Sequence, residues 1–374
     1  MADAFDWSPY VEAGLLPDDD AEGVQRRALL EYLLDQGCTL EEMVAADRRG
    51  RLFGLAGDRI LRPGARALTF DELAERVGGD APTLRRLWRA FGLADWDSDT
   101  GVASLDEADA FEVVVTAVAV LGEDLALELA RSVGASLARI GDAQNAIGRS
   151  LSPEGSVATS GSELDTARYW GGLAPIVVAL GRLLDLLSRH HFELARQHFE
   201  RSGSFDLMLR RMTRGGVGFV DMSGFTAATE RLGEAEFARL MSSFSMNVDE
   251  TVRDLGGRVV KFVGDAAMVV APDPMTLATI AYELVERWAA LGDGLTLHAG
   301  LSYGELLCQD GDFFGSTVNV ASRLGSLAGP GTILATAAVG EALTGAEWDL
   351  EWLEPQAVRG IADPVRACVV RRRT

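Results

Sequence analysis

The sequence predicts an α+β protein in two parts: an all-helical first half, then a second half in which strands alternate with helices around an antiparallel hairpin. Three observations predict this. Apolar residues recur at spacings of three and four up to about residue 200, and runs of alternating pattern begin only near residue 215. A polar, Gly-containing stretch, RSGSFDLMLRRMTRGG at 201–216, separates the two patterns. The length of 374 residues suits two packed domains better than one large core. The expected organisation is a helical domain over 1–200, a linker over 201–213 and a second domain over 214–374.

In the first half, EGVQRRALLEYLLDQGCTLEEMVAAD reads as two helices, with Gly37 stopping the first and Thr39 capping the second. TFDELAERVGGDAPTLRRLWRAFGL repeats that design with a Gly-Gly break. It also resembles a helix-turn-helix, with Arg85, Arg86 and Arg89 on its second helix. FEVVVTAVAVLGEDLALELARSVGASLARI and IVVALGRLLDLLSRHHFELARQHFE are longer and more apolar on one side. Their most apolar parts, 111–130 and 171–188, suit a plain core, a dimer interface or an enclosure for an acyl chain. SPEGSVATSGSE at 152–163 reads as a loop.

A formal net charge of −21 argues against binding along a phosphate backbone, which needs a clustered basic face. The acidic flanks PDDD and DWDSD make a hairpin used for packing the better reading of the helix-turn-helix segment. An acidic chain still binds a nucleotide where local cations or metal ions offset the repulsion. Cys38, Cys308 and Cys368 are odd in number and too far apart for a zinc motif, which favours a reducing setting. MADAFDWSPY lacks a basic-then-apolar signal. The run GGLAPIVVALGRLLDLL contains Arg182 and Asp185 and reads as too short to span a bilayer. The expectation is a soluble, cytoplasmic protein without a transmembrane segment.

In the second half VGFVDM reads as a strand, EAEFARLMSSFSMNVDETVRDLGG as a helix and RVVKFVGDAAMVVA as a hairpin turning at Gly264-Asp265. A helix (MTLATIAYELVERWAAL), a strand (LTLHAGLSYGELL), a helix (STVNVASRLGSLA) and two strands (GTILAT, VRACVVRR) follow. This order suggests an α+β sandwich of the ferredoxin-like kind.

Its polar residues carry the functional signal. Asp221 ends a strand just before a helix, where a carboxylate alone reads as an N-cap. Asp265 sits at a hairpin tip, where it alone reads as a turn residue. If the two meet at neighbouring strand ends they repel unless a cation lies between them, and hard oxygen ligands suit Mg²⁺ or Mn²⁺. Lys261 lies in the same hairpin, about 10 Å from Asp265 at the rise of a strand. In DFFGSTVNVASRL, Asn319 and Arg323 project from one helix face, preceded by Asp312, two aromatics and Gly315.

FVDMSGFT, KFVGD and DFFGSTVNVASRL, in this order and at these separations, resemble the class III nucleotidyl cyclase catalytic domain. The resemblance covers about 214–374. It implies conversion of ATP to 3′,5′-cyclic AMP and pyrophosphate, with Asp221 and Asp265 holding two Mg²⁺ or Mn²⁺ ions per site. Lys261 and Asp312 would recognise the purine, and Asn319 and Arg323 would act in the transition state. Adenine offers N1 as acceptor and its amino group as donor, matching ammonium and carboxylate, whereas guanine reverses both. Guanylyl cyclases of the family typically carry glutamate and cysteine at these two positions. Arg359 is the candidate for the triphosphate, with Arg366 second. In the family the site forms between two head-to-tail catalytic domains, so Lys261 and Asp265 of one hairpin would serve different sites. A homodimer with two complete sites is implied.

The helical half followed by this domain resembles actinobacterial cyclases with an N-terminal autoregulatory domain, some of which respond to acid pH. His190, His191 and His198 lie on one helix towards the connector and are the regulatory candidates, histidine titrating near ~6.5. Their spacing does not suit a metal site. Two other readings of the first half are a lipid sensor holding a fatty acid and a DNA-binding helix-turn-helix whose cyclase-like partner senses a nucleotide. No nucleic-acid partner is expected.

Overall fold

The computed structural model describes residues 5–17, 21–62, 64, 68–94, 101–201, 211–291, 295–343, 345, 347–356, 361 and 363–373. They divide into two compact units, 1–190 and 191–374.

The first unit is helical: α1 Ser8–Glu12, α2 Ala21–Asp35, α3 Leu40–Asp47, α4 Leu55–Leu61, α5 Phe70–Val77, α6 Ala81–Ala90, α7 Leu105–Leu121, α8 Glu123–Leu151, α9 Val157–Ser160 and α10 Glu163–Arg201, the last running on past residue 190. Local chemistry sets several of these boundaries. Thr39 Oγ1 accepts from the Glu42 N–H while the Glu42 carboxylate accepts from the Thr39 N–H, and Thr69 and Glu72 repeat this capping box. Gly78, at φ 72°, ends α5 in the left-handed region, and Asp80 caps α6 through the Thr83 N–H. Leu29, Leu30, Leu33, Met43 and Leu52 form one core, and Phe70, Leu73, Leu84 and Trp88 a second. Two arginines of the helix-turn-helix segment face their own chain: Arg85 lies over the Phe70 ring at 4.6 Å, and Arg86 pairs with Glu123 at 2.5 Å. The stretch anticipated as a loop at 152–163 contains a 3₁₀ turn, Pro153–Gly155, and α9.

One expectation needs correcting. The apolar run in α10 was read as too short to cross a bilayer. The helix extends on both sides of that run, and among the described residues Glu163–Gln197 is the one helix long and apolar enough to cross a membrane by length and composition.

The second unit is built on one mixed sheet. Its strands are β1 Met212–Ser223, β2 Arg258–Val263, β3 Ala266–Ala271, β4 Thr296–Gln309, β5 Asp312–Phe314, β6 Ile333–Thr336, β7 Trp348–Trp352 and β8 Ala367–Arg372. The order is β2-β3-β1-β4-β6-β8-β7, with β5 paired to β4. The antiparallel block β2-β3-β1-β4 is the ferredoxin-like core. The helices are α11 Phe225–Thr229, α12 Glu234–Asp254, α13 Pro274–Leu291, α14 Ser316–Leu327 and α15 Ala337–Gly340. Strand side chains alternate between the sheet faces. Val220, Met222, Ala267, Val269 and Leu297 join α12 and α13 around Trp288, whereas Val217, Met268 and Val270 meet Phe313 of β5 and Ala321 of α14. The sequence reading had no strand at β5 or β7. The three thiols are free, and burial raises each pKa to about 11.

Candidate active site

The β-ladder brings the two carboxylates together. Asp221 stands opposite Ala266 across the β1–β3 pairing, next to Asp265 in the turn, and the Met222 N–H donates to the Asp265 carbonyl at 3.3 Å. Gly264, at φ 62°, supplies the left-handed residue the turn requires. Burial and the Asp265 carboxylate beside it raise the Asp221 pKa, while His298 pulls it the other way. Asp221 Oδ1 is shielded from solvent and has no hydrogen-bond partner among the described residues. Two adjacent carboxylates, one with an orphaned oxygen, are a fitting donor set for a hard divalent cation. No group of three or more His, Cys, Asp and Glu side chains arranged for a metal occurs among the described residues.

Lys261 sits on the edge strand β2, just after a shift in the β2–β3 register. Its ammonium reaches solvent instead of being buried, and it pairs with Asp312 of the same chain. Asp312 opens β5 after the tight turn at Asp310-Gly311, where both residues have positive φ. Its second oxygen accepts from the Phe313 N–H at 2.8 Å.

From β5 the chain turns at Gly315, φ 126°, into α14. The Thr317 hydroxyl donates to the Glu305 carbonyl at 2.8 Å and seats the helix on β4. At Gly300 the seating is closer still, since a Cβ there would stand 2.0 Å from the Gly325 nitrogen. This close approach fixes the helix that carries Asn319 and Arg323, both exposed on one face.

Other expected residues lie elsewhere. Arg359 is outside the described residues. Arg366 pairs with Glu341 at 3.2 Å and covers the Trp352 ring at 4.3 Å. His190 and His191 are exposed on α10; His198 lies further along the helix, its side chain outside those described.

The sequence reading overlooked His298 and Ser223. His298 faces Asp221 across the β1–β4 pairing, and Ser223 Oγ lies 2.8 Å from its Nδ1. The available signal was parity: in TLHAGL the histidine breaks an apolar run on the face opposite Leu297, Ala299 and Leu301.

Residues 209–370 match the adenylate and guanylate cyclase catalytic domain, and residues 11–190 match the adenylate cyclase regulatory domain. The chain is 38% identical over 367 residues to an uncharacterized protein of Mycobacterium tuberculosis, covering 98% of this chain and 94% of that one. It is 31% identical to a pH-sensitive adenylate cyclase of the same species, over 93% of this chain and 88% of that one. An adenylate cyclase of Streptomyces coelicolor is 32% identical, over 73% and 70% respectively. Among solved structures, the guanylate cyclase domain of RhGC from Catenaria anguillulae with GTP covers 43% of this chain and 97% of its own, at 22% identity and a TM-score of 0.40. The adenylyl cyclase CyaB from P. aeruginosa covers 43% and 95%, at 24% identity and a TM-score of 0.38. The chain belongs to the adenylate cyclase family, in the actinobacterial arrangement of a helical regulatory domain followed by a class III cyclase catalytic domain.

Proposed function

We propose that this chain converts ATP to 3′,5′-cyclic AMP and pyrophosphate, the ribose 3′-oxygen attacking the α-phosphorus as pyrophosphate leaves. The observation that carries the proposal is the juxtaposition of Asp221 with Asp265, two carboxylates whose repulsion calls for cations. When bound, two Mg²⁺ or Mn²⁺ ions supply positive charge that acidifies the 3′-hydroxyl and offsets the triphosphate. Asn319 orients the ribose, so that attack is in line, and Arg323 neutralises charge on the transferring phosphoryl group. Lys261 donates to adenine N1, and Asp312 accepts from the adenine amino group. In the free chain the two pair with each other, so the base enters by separating an ion pair whose members are 42% and 22% exposed. Arg359 is proposed for the triphosphate.

The proposed assembly is a head-to-tail homodimer in which each site takes Lys261 and Asp312 from one chain and Asp221 and Asp265 from the other. The resemblance to class III cyclases, whose site forms between two head-to-tail catalytic domains, supports it. Residues 1–200 act as the regulatory domain, 201–213 as the linker and 214–374 as the catalytic domain. Regulation by pH through His190, His191 and His198 is supported by their place on α10 and by the pH-sensitive relative. A fatty acid or other apolar ligand has one physical support, an open-sided cavity of about 900 Å³ lined by Ile147, Trp170, Leu173, Val177 and Leu180, with Arg51 and Arg149 also on its wall.

Incubating the full chain with ATP and Mn²⁺ tests the reading. Cyclic AMP and pyrophosphate in equal amounts, abolished by a chelator, are expected; ADP or AMP without cyclic product would contradict it. Replacing the three histidines with non-titrating residues is expected to flatten the activity profile between about pH 6 and 8. An unchanged profile would remove them as the sensor.

A further inference from the structure

We infer that His298 is a positioning residue for Asp221, its ring beside Oδ2 fixing the orientation in which the carboxylate meets the cation. The inference rests on the reading of Asp221 as a metal ligand. It begins with the ladder: Asp221 and His298 are direct partners on the central antiparallel strands β1 and β4. Asp221 and Ser223, two apart on one strand, project from the same sheet face. His298 joins them there, because its neighbours Leu297 and Ala299 point into the core on the opposite side. The ring is 12% exposed, against 38% for the Asp221 side chain.

The contacts give the ring a direction. Ser223 Oγ lies 2.8 Å from His298 Nδ1, and His298 Nε2 lies 3.8 Å from Asp221 Oδ2. The second distance is an electrostatic contact, longer than a hydrogen bond. Ser223 can donate to Nδ1 or accept from it. If it accepted from a neutral ring, the Nε2 lone pair would face a carboxylate, which is repulsive. With Ser223 as donor, Nε2 carries the hydrogen and presents a positive edge to Oδ2. A ring carrying hydrogen on both nitrogens presents that same edge. Oδ2 is thereby occupied from the protein side, and Oδ1 is the buried oxygen with no partner. Side chains that hold the orientation of a ligating carboxylate tune metal affinity.

The test uses full-length protein with a non-cyclisable ATP analogue, following free Mn²⁺ by its electron paramagnetic resonance signal. His298→Ala is expected to weaken Mn²⁺ affinity about tenfold or more. His298→Gln, whose amide N–H stands near the position of Nε2, is expected to recover most of that loss. Ser223→Ala should fall between the two, since it frees the ring without removing it. Near-ultraviolet circular dichroism checks that each variant is folded; should His298→Ala not fold, the Gln and Ser223→Ala proteins still decide the matter. An affinity within about twofold of wild type in folded His298→Ala would overturn the inference, as would His298→Gln behaving no better than alanine. Strong ¹⁴N coupling to Mn²⁺ in pulsed spectra of the wild type would overturn it too, by making His298 a direct ligand. Asp221→Asn separates the two layers. If that protein binds Mn²⁺ like wild type, the metal reading itself has failed. If it loses Mn²⁺ while His298→Ala keeps it, only the role of His298 has failed.

Discussion

The two units differ in where they leave apolar side chains. In the catalytic unit the residues of β3 from Ala267 to Ala271 are buried, helices cover both faces of the sheet, and the proposed site residues Lys261, Asn319 and Arg323 are exposed. In the regulatory unit the short helices enclose Leu29, Leu30 and Leu33, but the long ones leave apolar residues outside: Val120 is 76% exposed, Leu151 68% and Leu186 62%. Sheet layers close around their own chain, whereas long helices with apolar residues on several faces need a second surface. The catalytic unit also leaves single apolar side chains outside, with Met246 61%, Val263 56% and Leu327 52% exposed, but the long regulatory helices carry them along most of their length. The proposed homodimer accords with this difference.

The largest expected effect removes charge from the catalytic unit. Asp265→Ala should cost about a thousandfold or more in cyclic AMP formation, because several kcal/mol of transition-state stabilisation depend on the cations. Near-normal turnover in that protein would contradict the metal assignment. Asp221→Asn adds a stability test with a defined sign. The Asp221 pKa is raised in the fold, so ionising it is harder there than in the unfolded chain. That cost is absent below the ordinary carboxylate pKa and present in full above the raised one. At about pH 7.5 in EDTA, Asp221→Asn should therefore unfold at the same temperature as wild type or higher, although it is inactive.

The next effect concerns base choice. Lys261→Glu with Asp312→Cys reverses both hydrogen-bond partners and should lower the ATP-to-GTP preference by about a hundredfold or more, at a poor overall rate. An unchanged ratio would show that the pair does not read the base. Gly300→Ala follows. Its Cβ would stand 2.3 Å from the Ala321 carbonyl, so α14 must shift, at a cost of about 3 kcal/mol in stability and at least about tenfold in activity. The smallest effect is in the other unit and sharpens the comparison. Gly181, within α10, has nothing within 4 Å of an added Cβ. Gly181→Ala should raise stability by about 0.5–1 kcal/mol from helix propensity alone. A destabilised protein would show that this face is covered by another surface, and thermal unfolding at several protein concentrations reads either result.

Much of this was legible in the sequence because the signals were local. The helix boundaries at Thr39 and Thr69 follow from caps three residues before a glutamate, and the hairpin follows from Gly264-Asp265 between β-branched runs. Two strands were hidden. β5 is three residues long, too short to show alternation, and exists by pairing with β4. β7, WDLEW, is five residues long and alternates, but it stands between segments without strand signals and forms by pairing with β8. His298 was hidden for a different reason. Its meaning lies in the strand beside it, and only the register of β1 against β4 sets it across from Asp221. The exposure of the long regulatory helices was hidden as well, since an apolar stripe reads alike whether it meets its own chain or another.

The central claim is that ATP is cyclised at a site to which one chain gives Lys261 and the other gives Asp265. Mixing subunits tests it directly. Lys261→Ala and Asp265→Ala homodimers are each expected to be inactive. After random exchange half the dimers are mixed, and each mixed dimer has one site with both defects and one with none. Roughly a quarter of wild-type cyclic AMP synthesis should return. If the mixture stays inactive although mass spectrometry of differentially labelled subunits proves exchange, both residues serve one site within one chain and the account is contradicted.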